Sequence, residues 1–124
     1  MTLKIAIALL AGMGIGAAAI QSLHAQSKPP AYVITEFEVT DQEASKEFGV
    51  KVAEAVKVSG GRYLVRGGGQ IVALDGEAPK RVVVQVFDNA DQARAFYSSA
   101  AWKQLTPLRE KALKQRSYIA EGVN

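Results

Sequence analysis

Two glycine pairs frame a short alternating run near the middle of the chain: Gly60-Gly61-Arg62-Tyr63-Leu64-Val65-Arg66-Gly67-Gly68. Glycine tolerates the backbone conformations that tight turns require, and alternation with a period of two is typical of a β-strand. The segment therefore predicts a strand over residues 62–66. Its alternation places both arginines on one side of the strand and Tyr63 and Val65 on the other.

Four other segments have the composition of strands. Residues 31–39 alternate and are rich in Val, Ile, Phe and Tyr, and residues 81–87 form the most apolar run of the domain. A short strand over 70–74 and a last one over 117–121 complete the set. Because both sides of the 82–87 run are apolar, we expect that strand to be buried on both faces.

Helices are predicted between these strands. Thr40 and Glu43 form a capping box that begins a helix reaching about Val58, and Gly60 supplies the left-handed residue that ends it. Residues 89–92 begin a second helix in the same manner. Pro107 restarts that helix after a break, since proline is favoured in a first helical turn.

This order of elements predicts an α+β fold, the ferredoxin-like βαββαβ sandwich with an antiparallel sheet. Its helices cover one face of the sheet only. An apolar strand at 82–87 needs a cover on the other face as well, so we expect a second copy to stack sheet against sheet. That arrangement is the dimeric α+β barrel, a homodimer.

The start of the chain has the pattern of a secretory signal peptide. Lys4 precedes an apolar run from Ile5 to Ile20, and Ala25 is a small residue at a suitable cleavage point. We therefore divide the chain into a signal peptide (1–25), a linker (26–30) and a folded domain (31–124). The expected location is periplasmic or secreted. The alternative is an uncleaved leader that anchors the protein in the inner membrane, the one arrangement in which a membrane is a partner.

The amino-acid composition excludes several kinds of catalytic and metal-binding site. The sequence contains no cysteine, and its single histidine, His24, lies in the predicted leader. Thiol and imidazole catalysis and the usual transition-metal and haem ligands are thereby removed from the mature domain, and we expect neither metal nor cofactor. A net charge of +3 with interspersed signs does not indicate nucleic acid.

Several segments together resemble the DUF1330 family of small bacterial proteins of unknown function. They are 31–34 with 39–41, the glycine-framed block 60–68, 81–84 with Phe87, 93–98 and 105–109. The resemblance implies a dimeric α+β barrel, a fold shared with small monooxygenases, muconolactone isomerase-like proteins and haem-degrading enzymes. It also implies two departures, because family members often carry Glu at the position of Gln85 and Tyr at that of Trp102.

Candidate ligand-binding residues are those that offer guanidinium groups, an amide or an aromatic wall to a small and possibly anionic molecule: Arg62, Arg66, Gln85, Tyr97, Trp102 and Arg109. Glu36 and Tyr97 are the weak catalytic candidates, since a strand carboxylate buried in a barrel can act as a base. Three hypotheses stay open: a binding protein, a cofactor-free enzyme of the monooxygenase or isomerase type, and a structural dimer without ligand. Whether the protein is an enzyme is left undecided by the sequence.

Overall fold

The structure is a computed structural model that describes residues 28–124. The predicted signal peptide and the first residues of the linker lie outside the described residues. The strands are β1 (Ala31–Val39), β2 (Arg62–Val65), β3 (Arg81–Phe87) and β4 (Leu113–Glu121). The helices are α1 (Gln42–Val58), α2 (Ala90–Tyr97), α3 (Ala100–Gln104) and α4 (Thr106–Ala112).

The four strands form one antiparallel sheet in the order β2-β3-β1-β4. This is the ferredoxin-like α+β fold that the sequence predicted. The last strand is longer than expected, because it begins directly after α4 and pairs with β1 along its whole length. The predicted strand over 70–74 is wrong: residues 66–80 form a long connection without regular structure.

The first helix begins one residue later than its capping box predicted. Asp41, not Thr40, is the N-cap, and its carboxylate accepts a hydrogen bond from the Ala44 amide at 2.9 Å. Thr40 instead donates its hydroxyl hydrogen bond to the Lys111 carbonyl at 2.8 Å. The threonine therefore ties the start of α1 to the end of α4.

The predicted glycine stop of α1 is confirmed. Gly60 has a φ of +88°, and the amides of Gly60 and Gly61 donate to the carbonyls of Lys57 and Val56. These two bonds form a Schellman motif. A Cβ on Gly61 would lie 2.7 Å from the ring of Phe87, so this glycine also lets the core approach the turn.

The core lies between the helices and one face of the sheet. It is built from alternate residues of β1 and β3 and from one stripe on each long helix: Ala31, Val33, Phe87, Ala44, Phe48, Val52, Val56, Ala93 and Phe96. The opposite face of the sheet carries no helix and presents the half-buried Ile34, Val82 and Val84. Within residues 28–124, no helix is long and apolar enough to cross a membrane.

Candidate functional site

A cavity of about 250 Å³ lies between the sheet and the helices, beside the core. Its apolar wall consists of Phe37, Phe48, Val52, Val83, Trp102 and Leu113. Its polar groups are Thr35, Ser45, Tyr63, Arg66, Arg81, Gln85, Tyr97 and Gln115. Gly67 and Gly68, at the start of the long connection after β2, also line it. Because Arg66 and Gly68 are exposed, the cavity opens to solvent on that side.

The aromatic wall is a continuous cluster. Trp102 packs edge-on against Tyr97 with ring centroids 4.6 Å apart, and against Phe48 at 6.2 Å. Phe96 contacts both Tyr97 and Trp102 from the core side. These contacts arise because the chain breaks between α2 and α3, where Ser99 caps the new helix and turns Trp102 back over the sheet.

Gln85 is the central polar group of the cavity floor. It lies on β3, is only 4% exposed, and its Oε1 accepts a hydrogen bond from the Tyr97 hydroxyl at 2.9 Å. A buried amide requires such a partner, since leaving it unpaired costs free energy. Burial raises the pKa of Tyr97 far above its ordinary value, so this hydroxyl keeps its proton and remains the donor.

Arg66 borders the cavity on the side that opens to solvent. Its guanidinium carbon lies 4.7 Å from the centroid of the Tyr63 ring, a cation–π contact. The sequence placed Tyr63 and Arg66 on opposite sides of β2. The pairing of β2 with β3 shifts by one residue between Tyr63 and Val65, and this bulge brings the two side chains together.

The structure thus brings together four of the predicted ligand-binding residues, namely Arg66, Gln85, Tyr97 and Trp102. Arg62 does not line the cavity and is exposed beside an open depression against α1. Arg109 also lies outside the cavity lining, with its guanidinium carbon 5.6 Å from the Trp102 ring centroid. Tyr63 and Arg81 are lining residues that the sequence reasoning missed.

Glu36 lies on the other face of the sheet, away from the cavity. Arg116 of β4 donates two hydrogen bonds to its carboxylate, at 3.0 and 3.1 Å, and the Tyr118 hydroxyl donates a third at 3.0 Å. The Arg116 hydrogen bond, followed by that of Tyr118, lowers the pKa of Glu36. A carboxylate held in its ionised form by three donors is stabilised as an anion, opposite to the raised pKa expected of a buried base.

This ion pair predicts a specific pH dependence of stability. Because the pKa of Glu36 is lower in the folded protein than its ordinary value of 4.5, its stabilising effect is present above that value and is lost as the pH falls through the folded pKa. Glu36→Gln is therefore expected to lower the Tm at neutral pH, and to lower it by progressively less as the pH falls below 4.5.

Thermal denaturation of both proteins across this pH range measures the effect. Tyr118→Phe is the matched control, since it removes one donor and leaves Arg116 in place, and it should give a smaller difference with the same pH trend. A Glu36→Gln destabilisation that grows on acidification would contradict the assignment.

The architecture and the cavity define a class: a small ferredoxin-like α+β domain with a partly open site between its sheet and helices. The chain belongs to the DUF1330 family, a domain of unknown function, whose profile matches residues 30–123. A search of curated protein sequences gave no match.

Solved structures with similar folds share little sequence with this chain. A protein of unknown function from Rhodopseudomonas palustris aligns with a TM-score of 0.63 and 13% identity, covering 86% of this chain and 93% of that one. SnoaB, a cofactor-independent oxygenase from Streptomyces nogalater, aligns with a TM-score of 0.51 and 11% identity over 77% and 95% of the two chains. A conserved protein of unknown function from Bacteroides thetaiotaomicron gives a TM-score of 0.51 at 12% identity, over 77% and 100%.

No group of three or more metal-ligating side chains that could hold an ion occurs among the described residues.

Proposed function

We propose that this protein binds a small organic anion in the cavity between its sheet and its helices. The observation that carries the proposal is the combination of an aromatic wall with a hydrogen-bonded Tyr97–Gln85 pair and the Arg66 guanidinium around one space of about 250 Å³. A mostly apolar pocket with a few convergent polar groups is typical of small-molecule sites. Pockets that bind drug-sized ligands measure about 300–1,000 Å³, so we expect this smaller cavity to bind a smaller molecule.

The charge of the lining favours an anion. Arg66 and Arg81 each contribute a guanidinium cation to the lining. Burial raises the pKa of both Tyr63 and Tyr97, so these hydroxyls also keep their protons at neutral pH. The ionisable groups of the lining are therefore cations or hydrogen-bond donors, and they complement a carboxylate or a similar oxygen anion.

The test is a titration with a panel of aliphatic and aromatic monocarboxylates, followed through the fluorescence of Trp102, the only tryptophan of the chain. Arg66→Gln is expected to weaken binding at least about tenfold, because a charge-assisted hydrogen bond is lost from the site. Arg62→Gln is the matched control: it removes the same charge four residues away, outside the cavity lining, and should bind like the wild type.

Native mass spectrometry of the freshly purified protein adds an independent readout, since a retained ligand would appear as extra mass. No binding of any carboxylate by the wild type, or equal losses in Arg66→Gln and Arg62→Gln, would overturn the proposal.

A second candidate function is cofactor-free oxygenation, favoured by the fold that this chain shares with SnoaB. The arginines of the cavity would stabilise an anionic substrate during such a reaction. Oxygen uptake on addition of a hydroquinone, above that of heat-denatured protein and diminished in Tyr97→Phe, would support catalysis. Binding without oxygen uptake would contradict the oxygenase function and leave ligand binding as the proposed function.

We also propose that the protein acts as a homodimer through the open face of its sheet. Ile34, Val82 and Val84 are only half covered there, and Tyr118 is 44% exposed. Apolar residues grouped on one flat face typically mark an interaction surface. A second copy fits because a twofold axis would pair this apolar strip with itself.

Export is the remaining proposal. The apolar pattern of residues 5–20 supports a leader that is removed after Ala25, giving a periplasmic or secreted protein. The mass of the protein recovered from a periplasmic fraction tests it: the mature mass is expected, and full-length protein in the membrane fraction would favour an anchor.

A further inference from the structure

Tyr63 occupies a distinct position among the polar groups of the cavity. Its ring lies in the cavity lining beneath the Arg66 guanidinium, and its hydroxyl shares the space with Gln85. Among the hydrogen bonds of residues 28–124, none uses the Tyr63 hydroxyl as donor to a protein acceptor.

Gln85 is a polar neighbour of Tyr63 in the cavity. The amide oxygen of Gln85 accepts the hydrogen bond from Tyr97, and the NH₂ group at the other end of the same amide can donate to a further partner. Burial raises the pKa of the Tyr63 phenol, and the polar contact with Gln85 opposes that effect only in part. Tyr63, Gln85 and Tyr97 thus line one space, and the hydrogen bond that the structure gives among their side chains is the one from Tyr97 to Gln85.

With no protein acceptor among residues 28–124, the phenolic proton of Tyr63 is available to a ligand atom in the cavity. The Arg66 guanidinium, 4.7 Å from the ring centroid, holds the ring in place and adds a positive charge at the same side of the cavity. Two donors, one neutral and one charged, are thus fixed side by side.

We propose that Tyr63 and Arg66 together bind the carboxylate of an aromatic monocarboxylic acid, with Tyr63 as the residue that determines specificity. One carboxylate oxygen accepts from the Tyr63 hydroxyl and the other from the Arg66 guanidinium. The ring of the ligand lies among Phe48, Tyr97 and Trp102, whose edge-on packing gives the cavity aromatic faces. This assignment rests on the proposed binding function and names its ligand class.

The geometry also explains why the ligand is small. A cavity of about 250 Å³ lies below the usual range of about 300–1,000 Å³ for drug-sized ligands, so a single ring with one acidic group is the size that fits. The buried Gln85 cannot turn its oxygen toward the ligand without leaving the Tyr97 hydroxyl without its acceptor. The cavity therefore discriminates in favour of acceptors.

The experiment compares benzoate with its neutral planar analogue benzamide in the wild type, Tyr63→Phe and Tyr118→Phe, by Trp102 fluorescence and calorimetry. Wild type is expected to prefer benzoate to benzamide at least about tenfold, and Tyr63→Phe to lose about tenfold or more in benzoate affinity, because hydrogen bonds to charged groups are among the strong ones. Tyr118→Phe removes the same hydroxyl from the opposite face of the sheet and should bind like the wild type.

Benzoate binding that is equal in wild type and Tyr63→Phe overturns this inference and leaves the proposed function standing. Equal affinity for benzoate and benzamide overturns the acidic ligand class. If the wild type binds aliphatic carboxylates and no benzoate, the aromatic assignment fails alone, whereas if it binds no carboxylate, the proposed function fails with it.

A second measurement does not depend on the folding of a variant. In wild-type protein labelled with ¹³C at the tyrosine Cζ atoms, saturating benzoate is expected to shift the Tyr63 resonance and to leave that of Tyr118 in place. A Tyr63 resonance unmoved at saturation overturns the proposed contact.

Discussion

Phe87→Ala is expected to destabilise the domain by about 3–5 kcal/mol, the range for truncating a fully buried phenylalanine. Its side chain is 1% exposed and stacks on Phe96 with ring centroids 5.8 Å apart. The ring also fills the space above Gly61, where a Cβ would come within 2.7 Å of it. Truncation removes contacts between the sheet, α2 and the turn after α1, and the cavity it leaves is enclosed on all these sides.

Urea denaturation measures the loss as a lower midpoint with an unchanged slope. Leu74→Ala is the matched control, because it removes an apolar side chain that is 97% exposed and should change the free energy of unfolding by no more than about 0.5 kcal/mol. A Phe87→Ala protein within about 1 kcal/mol of the wild type would show that this ring is not central to the core.

Val84→Asp is expected to convert the proposed homodimer into a monomer. Val84 pairs with Ile34 in the middle of the open sheet face, at the centre of the apolar strip. In an isologous interface each subunit contributes the same substitution, so two carboxylates would be brought together in a dehydrated environment. Juxtaposed like charges cost several kcal/mol, which corresponds to a loss of affinity of at least about a hundredfold.

Light scattering coupled to size-exclusion chromatography, at micromolar protein, determines the mass directly. Val50→Asp introduces the same charge on the exposed side of α1, away from the sheet, and is expected to leave the dimer intact. Circular dichroism establishes that Val84→Asp is folded. A wild-type monomer, or a Val84→Asp protein that stays dimeric, would refute the sheet-to-sheet arrangement.

Local patterns determined most of the elements of this fold. The alternation in residues 31–39 and the apolar run in 81–87 predicted β1 and β3 because period and composition act over a few neighbouring residues. Gly60 predicted the end of α1 for a similarly local reason, the positive φ at a helix C-terminus. The predicted strand over 70–74 failed because a short apolar run becomes a strand only when a neighbouring strand pairs with it.

The candidate site depended on features that are not local. The sequence identified Arg66, Gln85, Tyr97 and Trp102 by their chemistry. They meet in one cavity because β2 and β3 are adjacent strands and the break after α2 lies over the same face of the sheet. It missed Tyr63 because strict alternation placed that ring opposite Arg66, and a one-residue bulge in the pairing with β3 reversed the relationship. No pattern within β2 specifies where its partner strand shifts register.

Glu36 also separates what the sequence determined from what the pairing of strands decided. Its position at the centre of an apolar strand was readable from the sequence, and so was the rule that it shares a face with Ile34. The choice of face was not, because it depends on where Arg116 and Tyr118 of β4 lie, more than 75 residues further along the chain. The sequence by itself thus determined the elements and the chemical groups. The pairing of distant strands decided which groups face the cavity, because side chains on adjacent strands meet only once the register is fixed.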